Sequence, residues 1–394
     1  MRGLSVPRHW SRSRVKHLVR SMRAGDTITV DLIEQSGNYP VYGANGLRGF
    51  TSRRTHVGTH VLIGRQGALC GNVHLVSGEF WASEHAIVAT PAPDVDERWL
   101  AALLKAMNLG QYSSSAAQPG IGVGQIAPLL VSVPPRNEQR VIADYLDHET
   151  AQIDALVSKQ KEFIDLLRER RVAEITSGVE EGEPNSSFRR HVTNIRQGWS
   201  PNAEPFPADG VREWGILKVG CSTAGVFRPE ENKKLPPDVE ARPELVVKRG
   251  EIVMSRSNTR DLVGSAAVVL DEFPRLMLSD LNYGLTTAAT LDPEFAVYAL
   301  LTRRARAELT SRAKGTSPSM QKLAQRDVLD IPLWVPGIDK QRAIVECVKA
   351  QTARIDALIA KAEEHIALAT ERRSALITAA VTGQIDVCAA RKAS

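Results

Sequence analysis

The sequence predicts a mixed α/β chain: two globular domains joined by two long antiparallel, coiled-coil-like helices, with pseudo-twofold internal symmetry. Three observations predict it. Val133–Val179 aligns without a gap with Val335–Val381 at a constant offset of 202, and 22 of the 47 positions are identical. Each copy spaces its apolar residues as a helix does. The stretch before each copy reads instead as short strands broken by glycine turns. A period this long is no solenoid; it marks two copies of a larger unit.

In chain order the domains are 1–135, the central helix 136–181, a second domain 182–334 and the distal helix 335–394. Segment one gives GNYPVYGANGLRGF, THVLIGRQGALCGNVHLV and FWASEHAIVATP as strands, with helical pattern only from about Trp99 to Met107. Segment two repeats the plan with ILKVGCSTAGVF and LVVKRGEIVMSRSNTRDLVGSAAVVL, then a helix from Pro293 to about Arg312. Both close on a Ser/Thr/Gly loop (Ser113, Ser114, Ser115; Gly315, Thr316, Ser317) and a short apolar strand.

The central helix carries a heptad seam of Ile142, Leu146, Ile153, Leu156, Phe163 and Leu167. The distal helix matches it with Ile344, Val348, Ile355, Leu358 and Ala369. Asn137 and Asp339 sit where N-caps belong, and Gly178 and Gly383 where helices stop. About 40 residues make a rod of roughly 60 Å. Such a rod needs its apolar stripe covered in water. Each copy is expected to cover the other, with Glu149, Gln160, Gln351 and His365 fixing register.

An apolar fraction of 43% over 394 residues supports real cores. Cys70, Cys221, Cys347 and Cys388 show neither zinc spacing nor a disulfide framework, as in a reducing cytoplasm. No long apolar run suggests a membrane span. Residues 1–136 carry a net +6, residues 137–181 a net −5, and residues 182–334 and 335–394 a net +2 each. The positive field belongs to the globular segments, which suits a bound polyanion.

Rival chemistries find little support. GIGVG (Gly120 to Gly124) lacks the strand and helix of a nucleotide loop, and no GxxxxGK[ST] occurs. No Asn-Pro-Pro-aromatic run marks an adenine methyltransferase. Glu231-Asn232-Lys233 has the look of a nuclease ExK but no upstream acidic partner. His56 and His60 lie in a turn, a poor metal-binding helix. No catalytic residue and no metal site are expected. An enzyme with an inter-domain active site would need acids, bases or nucleophiles in both halves. A coiled-coil scaffold without DNA is opposed by the basic, Arg/Asn/Gln-tipped loops.

The chain resembles the specificity subunit of type I restriction–modification systems. YPVYGANG, LIGRQG with its following GNV, GEIVMSRSNT with LVG, the proline entries to both helices and ITAAVTGQIDV carry the resemblance. It implies a non-catalytic reader of double-stranded DNA that recognises an asymmetric bipartite target, one half-site per recognition domain. It also implies partners: two modification (methyltransferase) subunits, joined by restriction subunits. S-adenosylmethionine, ATP and Mg are expected on those partners and no cofactor on this chain. The helices would set the unread gap between half-sites.

The loop residues suit that role. Arg65 and Gln66 leave a strand at a glycine-flanked turn; Arg matches guanine and Gln adenine. Asn45, Arg48, Arg53 and Arg54 are expected to form a basic knuckle beside them. Ser255, Arg256, Asn258 and Arg260 offer donors to phosphate, with Asn258 able to read a base. Arg303, Arg304, Arg306, Arg312 and Lys314 bring charge up to Thr316. For Arg65 and Arg256 the alternative is that each pins its own loop through carbonyl bonds, and for the helix a solvated face.

Overall fold

A computed structural model of the chain describes residues 6–67, 69–113, 119–179, 182–315 and 320–387. Two compact units divide it: one runs up to Gln160 and resumes from Glu364, the other spans Lys161–Glu363.

In the first unit, alternation fixes the layers. In His60–Gly64 every residue is buried, so this strand has two inner faces. Val61 and Ile63 pack with Trp99, Leu100, Leu103 and Leu104 of the helix Glu97–Ala106. Leu62 faces the other way, onto Phe80, Ala82 and Val88. Burying a side chain the size of Trp99 contributes about 2–3 kcal/mol. The sheet order is Val19–Ala24, Ala86–Pro91, His60–Gly64, Val73–Val76, antiparallel throughout. A second layer pairs Gly46–Thr51, Tyr39–Gly43, Glu79–Ala82 and His56–Val57, with Tyr39–Gly43 and Glu79–Ala82 parallel. Asp96 caps the helix by accepting from Arg98 N and Trp99 N.

The second unit repeats this order. Val192–Gln197, Asn282–Thr287, Ile252–Ser255 and Ala266–Val268 make its antiparallel sheet. Gly215–Leu217 pairs in parallel with Leu276–Met277, as in the first unit's second layer. Asp292 caps Pro293–Leu301. The single helix expected from Pro293 to Arg312 is two. Thr302 leaves helical conformation (ψ 149°) and its hydroxyl caps Arg303–Arg312 by accepting from Ala305 N.

The long helices are Arg136–Val179 and Ile338–Val381, 44 residues each. N-caps at Asn137 and Asp339 would start the helices at 138 and 340; they start two residues earlier, at Arg136 and Ile338, so Asn137 and Asp339 lie in the first turn. In the first unit Ile142, Ala143 and Leu146 share a core with Ile377, Ala380 and Val381. Arg373 forks onto Asp154 at 2.8 and 3.0 Å. In the second, Ile175 and Val179 meet Ile344, Val345 and Val348, and Arg171 meets Asp356 at 2.7 Å. Numbers rise on one helix as they fall on the other, so the segments run antiparallel within each unit.

The seam departs from the expected one. Ile142, Leu146, Ile153, Ile344, Val348 and Ile355 are buried, but Leu156 (49%), Phe163 (44%) and Leu358 (39%) are exposed. From Leu146 the inward stripe is Ile153, Val157, Gln160, Ile164, Leu167 and Arg171, a strict 4-3 alternation. Leu156 and Phe163 each stand one residue, about 100°, off it. Gly178 is not a stop. It lies inside the helix, where a Cβ would come within 2.7 Å of Val348. Gly383, at φ +74°, does end the distal helix.

Candidate nucleic-acid interface

In the first unit, Gly64 ends its strand where a Cβ would meet the Ala44 carbonyl at 2.4 Å, so the loop that follows presses against 44–48. Arg65 N donates to His85 O (2.8 Å) and Arg65 O accepts from Ile121 N (2.9 Å). Its guanidinium donates to Glu84 O (3.4 Å). Gln66 is exposed, its Oε1 3.0 Å from His85 Nδ1. His85 Nε2 lies 3.3 Å from Glu84 Oε1. Asn45 accepts from Asn72 Nδ2 (3.0 Å). Asn45, Arg48 and His85 line a shallow hollow of about 290 Å³. Asn45, Arg48, Arg65 and Gln66 are therefore brought together, around a histidine that the sequence reading did not single out.

Arg53 and Arg54 are not with them. The hairpin pairs Gly43 with Gly46 at its turn and Tyr39 with Thr51 at its far end. Arg53 and Arg54 follow Thr51, so several residues at about 3.3 Å each separate them from Asn45. Arg54 is ion-paired with Glu79, which raises its pKa, and lies over the Tyr39 ring. Arg53 is exposed.

The second unit repeats the loop. Arg256 N donates to Leu281 O (2.8 Å), and Leu323 N donates to Arg256 O (3.0 Å). Its guanidinium donates to Asp280 O (3.1 Å) and Tyr283 Oη (3.2 Å). Ser255 is fully buried in its strand, so its hydroxyl cannot meet a phosphate as expected. Asn258 is half-buried; its Oδ1 accepts from Thr259 N (2.8 Å), and its strand pairs with Gln321 and Lys322. Lys314 pairs with Lys322 through the backbone, so Asn258, Lys314 and Lys322 share one edge, with the exposed Arg260 beside them in sequence.

The Arg303–Arg312 helix is largely neutralised by its own neighbours. Arg304 is bidentate to Glu183 (2.8 and 3.3 Å), and Arg312 pairs with Glu308. Arg306 is held against Asp261 O, and burial lowers its pKa. Thr316, Ser317, Ser114 and Ser115 lie outside the described residues.

The rejected chemistries gain nothing. His56 stacks on Phe80 (5.5 Å, 13°), and His60 bonds Thr90 Oγ1 and Val57 O. Asn232 of the ExK-like triple is a buried bracket for Ala208 and Pro229. Among the described residues no group of three or more His, Cys, Asp or Glu could hold a metal. No described helix is long and apolar enough to cross a membrane.

Two buried glutamines were also missed. Gln139 Oε1 accepts from Asp96 N (2.8 Å) and its Nε2 donates to Pro134 O (2.9 Å). Gln341 does the same for Asp292 N (2.9 Å) and Pro336 O (2.7 Å). Each ties a long helix to the cap of its unit's own helix. Their identity across the repeat was the available signal.

Residues 7–164 match the family model of the type I restriction modification DNA specificity domain. This segment belongs to that family. The resemblance carried by the motifs is to the same family. Over 133 residues the chain is 46% identical to the specificity subunit of the type I restriction enzyme EcoprrI of Escherichia coli, 33% of each chain. Over 163 residues it is 27% identical to the EcoEI specificity subunit of Escherichia coli, 40% of this chain and 27% of that one. The matches thus span about a third of these relatives' length. A solved structure from work on complex assembly and conformational transition of the type I R-M system superposes over 97% of this chain and 100% of its own, at TM-score 0.59 and 14% identity. That likeness supports the fold beyond the specificity domain itself.

Proposed function

We propose that this chain is the DNA-reading subunit of a type I restriction–modification complex, taking one half-site of an asymmetric bipartite target with each unit. One observation carries the reading: the same arginine-anchored loop stands at the same place in two units of one strand order, borne on duplicated helices. In the first unit Gln66, Asn45 and Arg48 reach base edges; in the second Asn258, Arg260 and Lys314 do. Arg65 and Arg256 hold the loops, and Arg53 is left for phosphate.

The chain does no chemistry. Modification subunits dock on it and bring S-adenosylmethionine, and restriction subunits bring ATP and Mg. The test is a genome-wide map of methylated adenines with and without the gene. Deletion should erase methylation at one split, asymmetric motif. An unchanged map, or loss at an uninterrupted motif, would overturn the reading.

A further inference from the structure

The second unit pairs two amide side chains where the first has none. Its strands Ser257–Asn258 and Gln321–Lys322 form a two-stranded antiparallel ladder in which Asn258 stands directly opposite Gln321. Opposite residues of such a ladder project to one face, with Cβ atoms about 5 Å apart. In the first unit the same segments meet in a bridge of Gln66 with Gly120. The rung equivalent to Asn258 and Gln321 is there Gly67 with Pro119, joined by Gly67 N to Pro119 O at 2.9 Å. That rung offers no polar side-chain atom.

Both amides are steadied from the backbone. Thr259 N donates to Asn258 Oδ1 (2.8 Å), and Gln321 Nε2 donates to Gly315 O (3.2 Å). An amide carries two N–H donors and two oxygen lone pairs, so one such bond steadies the side chain without exhausting it. The ladder is placed by other groups. Leu323 N donates to Arg256 O (3.0 Å), and Tyr283 Oη accepts from Arg256 Nε (3.2 Å) and donates to Leu323 O (2.9 Å). The buried Ser257 donates to Met320 Sδ (2.9 Å).

We propose that Gln321 is a further specificity-determining residue of the second unit, reading the base pair next to the one that Asn258 reads. The inference rests on Asn258 reaching a base, as under the proposed function. A two-stranded ribbon is narrow enough to enter the major groove, where Asn and Gln match the N6 and N7 of adenine. Side chains rooted about 5 Å apart on one face suit neighbouring base pairs, stacked at about 3.4 Å. The first unit, with Gly67 and Pro119 at this rung, reads through Gln66 on the rung before it.

The experiment selects bound duplexes from a library randomised in both half-sites, using the full chain with the subunits that co-purify with it. Gln321→Ala should flatten the preference at one position of one half-site, on the order of tenfold, beside the position that Asn258→Ala flattens. Every other position, and the whole of the other half-site, should keep its preference. Gln321→Glu, an acceptor only, should confine that same position to bases offering an N–H donor, cytosine or adenine. This variant decides the matter if Gln321→Ala fails to fold. Unchanged selection in either the Gln321 or the Asn258 variants, loss at the Asn258 position alone, or an even fall in affinity for all duplexes would overturn this inference and leave the proposed function standing. If the wild-type chain selected at neither half-site, the proposed function would fall with it.

Discussion

Arg65 and Arg256 are counterparts: each donates its amide N–H to the carbonyl of the residue just before a strand of its unit's four-stranded sheet, Ala86–Pro91 or Asn282–Thr287, and its guanidinium to the carbonyl one position earlier. Both arginine carbonyls are also taken, by Ile121 and Leu323. The shared geometry makes each arginine a brace for its loop, the alternative the sequence had left open for both. Arg256→Ala should destabilise the second unit by about 1–2 kcal/mol, the cost of hydrogen bonds from a charged donor. Thermal unfolding would register it, with DNA affinity falling alike for specific and random duplexes. A loss confined to one base position would mark Arg256 as a reader instead.

Arg171 and Arg373 test how burial scales an ion pair, because the repeat makes Arg171–Asp356 and Arg373–Asp154 equivalent. Arg171 is 9% exposed and Arg373 26%, with both aspartates half-exposed. Breaking the better-buried pair should cost about 1–3 kcal/mol, whereas the more open one should cost about 0.5–1 kcal/mol. Calorimetry of Arg171→Ala and Arg373→Ala should rank them in that order, and equal effects would contradict it.

Much of this was legible in the sequence because helices and repeats are local and periodic. The gapless alignment carried both long helices, and glycine turns carried the strands. What was not legible depended on contacts distant in sequence. Leu156 and Phe163 satisfy a heptad as well as Val157 and Ile164 do; only the neighbour across the pair decides which face turns inward. Arg53 and Asn45 are eight residues apart, yet hairpin pairing puts them at opposite ends. Gln66 stood out by its glycine-flanked turn, while its partner His85 lies 19 residues away in an unremarkable FWASEH.

Gln139→Ala should leave the buried Asp96 amide without a partner, at about 1–3 kcal/mol. Gln341→Ala should cost a similar amount through Asp292. Hydrogen exchange would show the first turn of Glu97–Ala106 opening in the one variant and that of Pro293–Leu301 in the other. Exchange spread evenly over both units would deny the tie its local character.

Stability should fall on mild acidification, through His56. Burial, followed by the charge of His60, holds its pKa below the ordinary 6.5. Above pH 6.5 both folded and unfolded chains keep it neutral, and its contribution is fully present. As pH drops below that value the unfolded chain takes up the proton first, so stability falls until the folded pKa is passed. His56→Phe, stacked on Phe80, should flatten this part of the profile in denaturant titrations. His74 and His191, lowered by burial too, would leave a residual slope.

The corrected seam makes the most direct prediction. Ile164 is 4% exposed on the inward stripe and Phe163, one residue before it, 44%. Ile164→Ala should cost about 2–5 kcal/mol, as truncation in a packed core does. Phe163→Ala removes a larger side chain, yet should change stability by no more than about 0.5 kcal/mol, as surface substitutions do. Under the heptad read from sequence alone the order would be reversed, because Phe163 would be the knob and Ile164 its flank. Thermal unfolding of the two single variants decides between the registers, and a greater loss from Phe163→Ala would restore the original one.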